Sequence, residues 1–169
     1  KDAPELRQAL SMAIDRRTIV DKITRGDEIP AHGWIPPVVE GYAGAQFDWV
    51  KLSDAEREAK ARELYEKAGY SKDNPLEVEI RYNSGEGNKK IASVISSMWR
   101  SVLGAEVTLR NQEWKVFLDN VRQGNTEAYR LAWIGDYNDP NTFFELMNSK
   151  FGLNGTGYAS AEYDRLQEK

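Results

Sequence analysis

Between positions 114 and 139 the chain gathers residue types that can bind or react: Trp114, Arg130, Trp133, Asp136, Tyr137 and Asp139. Two carboxylates three residues apart could serve as the acid and its partner that glycoside hydrolysis requires. Asp139 stands directly before Pro140, however, an order that suits a helix N-cap and first helical position. Asp136 follows Trp133-Ile134-Gly135, and the glycine lets backbone or ligand approach closely. Ligands of open α/β sheets collect beyond the carboxyl ends of the strands, so a strand ending near Ile134 would deliver Asp136 to such a place. A plainer reading puts Trp133 in the core and lets Asp136 start an Asx-turn, and composition alone favours it.

The remaining catalytic inventory is thin. There are no cysteines, which removes thiol nucleophiles, Cys-ligated zinc, iron–sulfur clusters and disulfides together. The single histidine, His32, lies in a Gly/Pro-rich loop beside no nucleophile motif, so neither a Ser-His-Asp triad nor a His-rich metal site is expected. Gly85-Glu86-Gly87 before a helix resembles a weak anion cradle but lacks the spacing of a nucleotide loop. The mixed charges around Arg57, Arg62 and Lys67 read as a solvated helix face. A net charge of −4 leaves no basic footprint for nucleic acid. No apolar run is long enough for a membrane span. No cofactor and no metal are expected.

The elements that must position these residues alternate. An apolar stripe from Leu6 to Ile23, interrupted at Asp15-Arg16-Arg17, predicts a helix or two helices meeting at a bend, stopped by Gly26. Residues 27–50 hold three prolines and three glycines and read as a long irregular crossing. Ser53 with Glu56 is a capping-box signature for a helix to Ala68. Leu76–Tyr82 alternates as a half-buried strand. A helix with Ile91, Val94, Ile95, Met98, Trp99 and Val102 on one face follows, closed by Gly104. Val107–Arg110 starts a second strand, Trp114–Arg122 a short helix, and Tyr129–Ile134 a third strand. A helix from Pro140 to Met147, a loop, and a helix from Ala161 to Lys169 complete an α/β plan in one domain.

With these elements in place, the sequence resembles the C-terminal lobe of the extracytoplasmic oligopeptide-binding proteins, the solute receptors of peptide ABC importers in the peptide/nickel-binding class. The resemblance rests on Leu6-Arg7-Gln8-Ala9-Leu10-Ser11-Met12-Ala13-Ile14-Asp15-Arg16, on Asn111-Gln112-Glu113-Trp114-Lys115-Val116-Phe117-Leu118, and on Trp133-Ile134-Gly135-Asp136-Tyr137-Asn138-Asp139-Pro140. Phe143 and Asn154-x-Thr156-Gly157-Tyr158 extend the last. The matches cover essentially the whole chain in order.

The resemblance implies a type II-like lobe with a mixed sheet flanked by helices. Residues 1–169 would be most of the C-terminal lobe of a two-lobed receptor, with the other lobe and the C-terminal return absent. It implies binding of extended oligopeptides without catalysis, delivery to the membrane permease of an ABC importer, and a monomer. The location would be the periplasm, or a lipid-anchored extracellular position in a Gram-positive source. Asp136 matches the acid that pairs with a peptide's α-ammonium group; Trp114 and Trp133 match aromatics of the side-chain pockets. Arg130 and Tyr137 match neighbouring positions of the same wall, and Asn83 matches a polar residue reaching the cleft from the first strand–helix turn. Ile134 stands where some members have a disulfide cysteine, so a differently shaped pocket floor is expected, with ligand length and sequence preference not fixed by the resemblance. The same scaffold could hold a murein peptide, a dipeptide, a nickel complex or an oligosaccharide, although Asp136 favours a ligand with an amine. A carboxylate-dependent hydrolase is the rival from another class.

Overall fold

The computed structural model describes residues 3–168. Helix α1 (Pro4–Met12) has proline in its first turn, where the missing N–H removes no helical bond. The expected bend falls at Asp15. Its carboxylate accepts the Thr18 amide at 2.9 Å and the Thr18 hydroxyl at 2.6 Å, starting the single turn α2 (Arg16–Thr18). A π-helical turn, Ile19–Thr24, continues it and ends at Arg25 rather than at Gly26. Arg25 adopts the left-handed conformation with φ 54°, which an L side chain enters at a cost.

A helix leaves its last carbonyls without partners, and those of α1 are met by side chains from elsewhere. Trp99 Nε1 donates to Leu10 O at 2.9 Å, Arg16 to Ser11 O at 2.9 Å, and Arg57 Nη1 to Met12 O. Arg57 is therefore buried, and the charged run around it is not wholly a solvated face. It sits in α3 (Asp54–Lys67), whose capping box is complete: Ser53 and Glu56 bond each other's backbone amides. The rest of that run behaves as expected. Glu63 lies between Lys60 and Lys67 on the surface, bonds to Lys67 and Lys60 hold its carboxyl down to about 2, and such exposed pairs add little to stability.

Strands β1 (Glu77–Asn83), β2 (Glu106–Gln112) and β3 (Ala128–Arg130) form one sheet in the order β2-β1-β3. Both pairings are parallel, where a mixed sheet was expected. Between them run α4 (Glu86–Leu103) and α5 (Trp114–Arg122). Gly104 closes α4 at φ 73°, the left-handed position that glycine fills without strain. The buried stripe of α4 is Ala92, Ser96, Trp99 and Leu103, turned from the larger apolar set read in the sequence, most of which is half-buried. Small residues there let the helix sit close to the sheet.

One sheet face, through Ile80, Tyr82 and Val107, joins α1, α3 and α4 in the main core. The opposite face carries Glu79 between Arg81 and Arg110, an ion-paired trio, and is covered near the strand ends by α5. There Phe117 is fully buried and meets Tyr129 of β3 edge-on, ring centroids 6.4 Å apart. The third strand is shorter than expected: the chain leaves the ladder after Arg130, and Leu131, Ala132 and Ile134 are exposed. Beyond it come α6 (Asn141–Phe144), a 3-10 turn Glu145–Met147, and α7 (Ala161–Gln167) capped by Ser160. The expected extension of α7 to Lys169 lies outside the described residues.

Two outcomes follow. Arg57→Met fills the space but strands the Met12 carbonyl, and the loss of a hydrogen bond from a charged donor should cost about 2 kcal/mol in urea denaturation. Burial works to raise the Asp15 carboxyl, but the Thr18 hydroxyl and amide and the Arg57 charge outweigh it and hold it below its usual value. A carboxyl lowered by folding contributes stability above its unfolded value near ~3.9, lost as pH falls through the lowered one. Asp15→Asn should therefore flatten the acid limb of melting temperature against pH while lowering stability at neutral pH.

Candidate functional site

Because all three strands run in one direction, their carboxyl ends share one edge of the sheet. The register sets Asn83 of β1 beside Gln112 of β2, and Tyr82 of β1 beside Arg130 of β3. Asn83 is half-buried, and its carbonyl accepts Asn88 Nδ2 at 3.1 Å across the first turn of α4. Two residues past Gln112, Trp114 begins α5, whose N-cap Glu113 accepts the Lys115 and Val116 amides. The Trp114 indole stacks on buried Phe117 at 6.0 Å, so one face is fixed while 46% of the residue stays exposed. The sheet thus brings Asn83, Trp114 and Arg130 to a common edge. The chain from Trp133 to Tyr137 leaves from that same edge.

The turn that holds Asp136 is built tightly. Gly135 lies against α6, and a Cβ there would stand 3.0 Å from both the Phe143 ring and the Thr142 methyl. Thr142 is fully buried, and its Oγ1 accepts the Asp136 amide at 3.1 Å. The Asx role falls to Asp139, whose Oδ1 accepts the Asn141 amide at 2.8 Å. Asp136 is exposed, and among the described residues its carboxylate has no hydrogen bond or ion pair. Of the two sequence readings of Asp136, the turn-forming one is therefore not what its side chain does.

Trp133 divides between its two readings. It is half-buried, yet its Nε1 is shielded from solvent with no acceptor among the described residues. Ile134, by contrast, is 86% exposed, and Tyr137 is 50% exposed with its hydroxyl accepting Asn141 Nδ2 at 3.2 Å. From below, Tyr129 supports the edge; burial pushes its phenol up. The loop after α6 also closes on this region, where Gly155 passes so near Val121 that a Cβ would lie 2.5 Å from its methyl.

The hydrogen bond from the Asp136 amide to Thr142 was not foreseen, and its only trace in the sequence is a hydroxyl residue in the first turn after Asp139-Pro140. Leu131-Ala132-Trp133-Ile134 lacks the apolar–polar alternation of a half-buried strand, and that was the available sign of an exposed apolar ledge. The Gly85-Glu86-Gly87 turn opens α4 without a side-chain cap. His32 stands elsewhere, its carbonyl accepting the Phe47 amide.

An edge of this kind, an unpaired carboxylate flanked by exposed aromatic and aliphatic surface, can pair an ammonium group and shelter an apolar neighbour. Comparison with known proteins identifies the family and fold. Residues 1–155 match the family of bacterial extracellular solute-binding proteins, family 5, middle part. Over 161 residues the chain is 37% identical to the periplasmic oligopeptide-binding protein OppA of Salmonella typhimurium, covering 95% of this chain and 30% of that protein. The unliganded open form of the periplasmic murein tripeptide-binding protein MppA superposes with a TM-score of 0.92 at 36% identity, covering 97% of this chain and 32% of that one. OppA of Haemophilus influenzae in complex with RPPGFSPFR gives 0.90 at 37% identity, covering 95% and 32%. The chain thus spans about a third of the length of the relatives it matches.

Gly135→Ala should force the turn away from α6 and lower stability by about 1–3 kcal/mol, the usual cost of overpacking. Gly152, which has nothing within 4 Å of an added Cβ, should accept alanine without loss. Thermal denaturation of the two variants checks the contrast.

Proposed function

The chain belongs to the bacterial extracellular solute-binding proteins of family 5, and we propose that it supplies one wall of a cleft that holds an extended oligopeptide. The observation that carries this reading is the unpaired Asp136 carboxylate on an edge lined by Trp114, Ile134 and Tyr137. In this reading Asp136 pairs with the peptide's α-ammonium group. Trp114 and Trp133 line side-chain pockets, and Arg130, Tyr137 and Asn83 complete the wall. An ammonium taken into a water-poor cleft needs such a partner, because a buried charge without one costs several kcal/mol. The peptide's main chain can be bonded without reading its side chains, as in strand addition.

The family and the similar proteins are solute binders. This chain, too, acts by binding and carries out no catalysis. Residues 1–169 form most of one lobe of a larger, monomeric receptor that works outside the cytoplasmic membrane and hands peptide to the permease of an ABC importer. The likeness to a murein tripeptide-binding protein keeps the ligand class a peptide, and competition between RPPGFSPFR and a murein tripeptide ranks the two.

The test is a double cycle on the receptor that contains this segment, by calorimetry at neutral pH. Asp136→Ala should weaken a free peptide by about 3–5 kcal/mol, a factor of about 150 to several thousand. An N-acetylated peptide should bind poorly to the unmutated receptor and lose little on mutation. A coupling energy near zero would leave the ammonium without this partner and sink the assignment. The isolated 169-residue chain should bind the same peptides only weakly, its ligand half-solvated. Sub-micromolar affinity would overturn the one-wall reading.

A further inference from the structure

The turn carrying Asp136 has little to hold it by its own local structure. β3 ends at Arg130, the next four residues make no ladder, and α6 is only four residues long. Helices that short are not stable by themselves. Within the turn, the Asp136 amide bond to Thr142 and the Gly135 contact fix its shape, but neither ties it to the rest of the molecule.

Part of that tie comes from α7, where Tyr163 Oη donates to Phe144 O at 2.7 Å and Gln167 Nε2 to Asn141 Oδ1 at 3.4 Å. The part that reaches Phe143 and Asn138 comes from residues 33–46, nearly a hundred positions earlier. Their ends are pinched together: the Phe47 amide donates to His32 O at 2.8 Å, and Gly33 lies so close under the Ala45 carbonyl that no side chain fits there. The segment is an Ω-loop, a compact surface excursion with adjacent ends. Ile35 and Val39 are buried, as is Trp49 just beyond the pinch, so the loop is anchored on its inner side. Three further contacts from it reach the site turn and α6. Trp34 Nε1 donates to Phe143 O at 2.8 Å although half of Trp34 is exposed. The Glu40 amide donates to Asn138 Oδ1 at 3.3 Å. Tyr42 meets Phe144 edge-on at 5.6 Å.

We infer that this Ω-loop, alongside α7, braces the turn that positions Asp136, with Trp34 as the loop's principal positioning residue. The inference rests on the peptide-ammonium reading of Asp136 and adds to it a residue that touches no ligand. An exposed indole is a poor core residue, and this one spends its only donor on the carbonyl of Phe143, the residue whose ring packs under Gly135. The bond therefore acts on the platform against which the Asp136 turn rests. A carboxylate that discriminates free from blocked N-termini must be held in place, since a loose one gives the same charge at many distances.

Trp34→Phe keeps an aromatic ring and removes the donor. In the 169-residue chain, hydrogen exchange of the Asp136, Phe143 and Phe144 amides should accelerate about 3–10-fold, the equivalent of one neutral hydrogen bond. Amides of β1 should keep their native rates. In the receptor containing this segment, the ratio of acetylated to free peptide Kd should fall by a similar factor, and Trp34→Phe/Tyr42→Leu should lower it further. Val38→Thr, on the same loop, should change neither quantity. Unchanged exchange at the three amides, or acceleration spread equally through β1, overturns the brace. A ratio that collapses in Asp136→Ala but survives in both Trp34 variants overturns the positioning role alone. A ratio that Asp136→Ala also leaves intact overturns the ammonium pairing beneath it.

Discussion

Strand β1 is the constraint on which the architecture depends, because it alone pairs on both sides. Its register with β2 spans all seven residues from Glu77 to Asn83, while that with β3 spans three, from Ile80 to Tyr82. Parallel pairing gives every strand the same exit, so whatever each connection does on the far side, its return delivers the chain to one edge. Trp114, Arg130 and the turn after Trp133 are neighbours for that reason and not because they are close in sequence. The side of β1 that makes this possible is apolar and packed against α4, and Trp99 of α4 bonds the end of α1 as well as filling the core. Positioning the edge and closing the core are thus one set of contacts.

The end of α1 illustrates how polar groups specify what apolar packing only permits. Leu10, Ser11 and Met12 present carbonyls that water does not reach freely, and three different donors from α4, α2 and α3 converge on them. Any slide of one helix along another would leave a buried acceptor unmatched, at a cost of about 1–3 kcal/mol. The hydrophobic contacts alone would tolerate such a slide far better.

Much of this was legible beforehand, for reasons that can be stated residue by residue. The capping box at Ser53 and the glycine stop at Gly104 are local chemistry, and local chemistry survives folding unchanged. β1 was legible because one of its faces is buried and the other is not. The stripe of α4 was read from hydrophobicity, whereas the fold uses Ala92 and Ser96 for closeness, a requirement set by the sheet and invisible in the helix alone. β3 was read too long because Tyr129–Ile134 has strand-forming residues, and only the absence of a partner beyond Arg130 ends it. Asp136 was singled out through a family likeness and not through its own spacing. The bond from Trp34 to Phe143 was not legible at all, since no periodicity links position 34 to position 143.

The brevity of β3 has a consequence for solubility. A parallel sheet of three strands has two open edges, and an open edge invites another chain to add to it. On one side the edge is only Ala128–Arg130, too few amides to template a fibril-like stack. On the other, β2 sets Glu106 and Arg110 in its exposed margin, charges that a stacked copy would bring against themselves. The stretch Leu131–Ile134 stays outside the ladder and can be apolar and exposed without becoming a seed for aggregation.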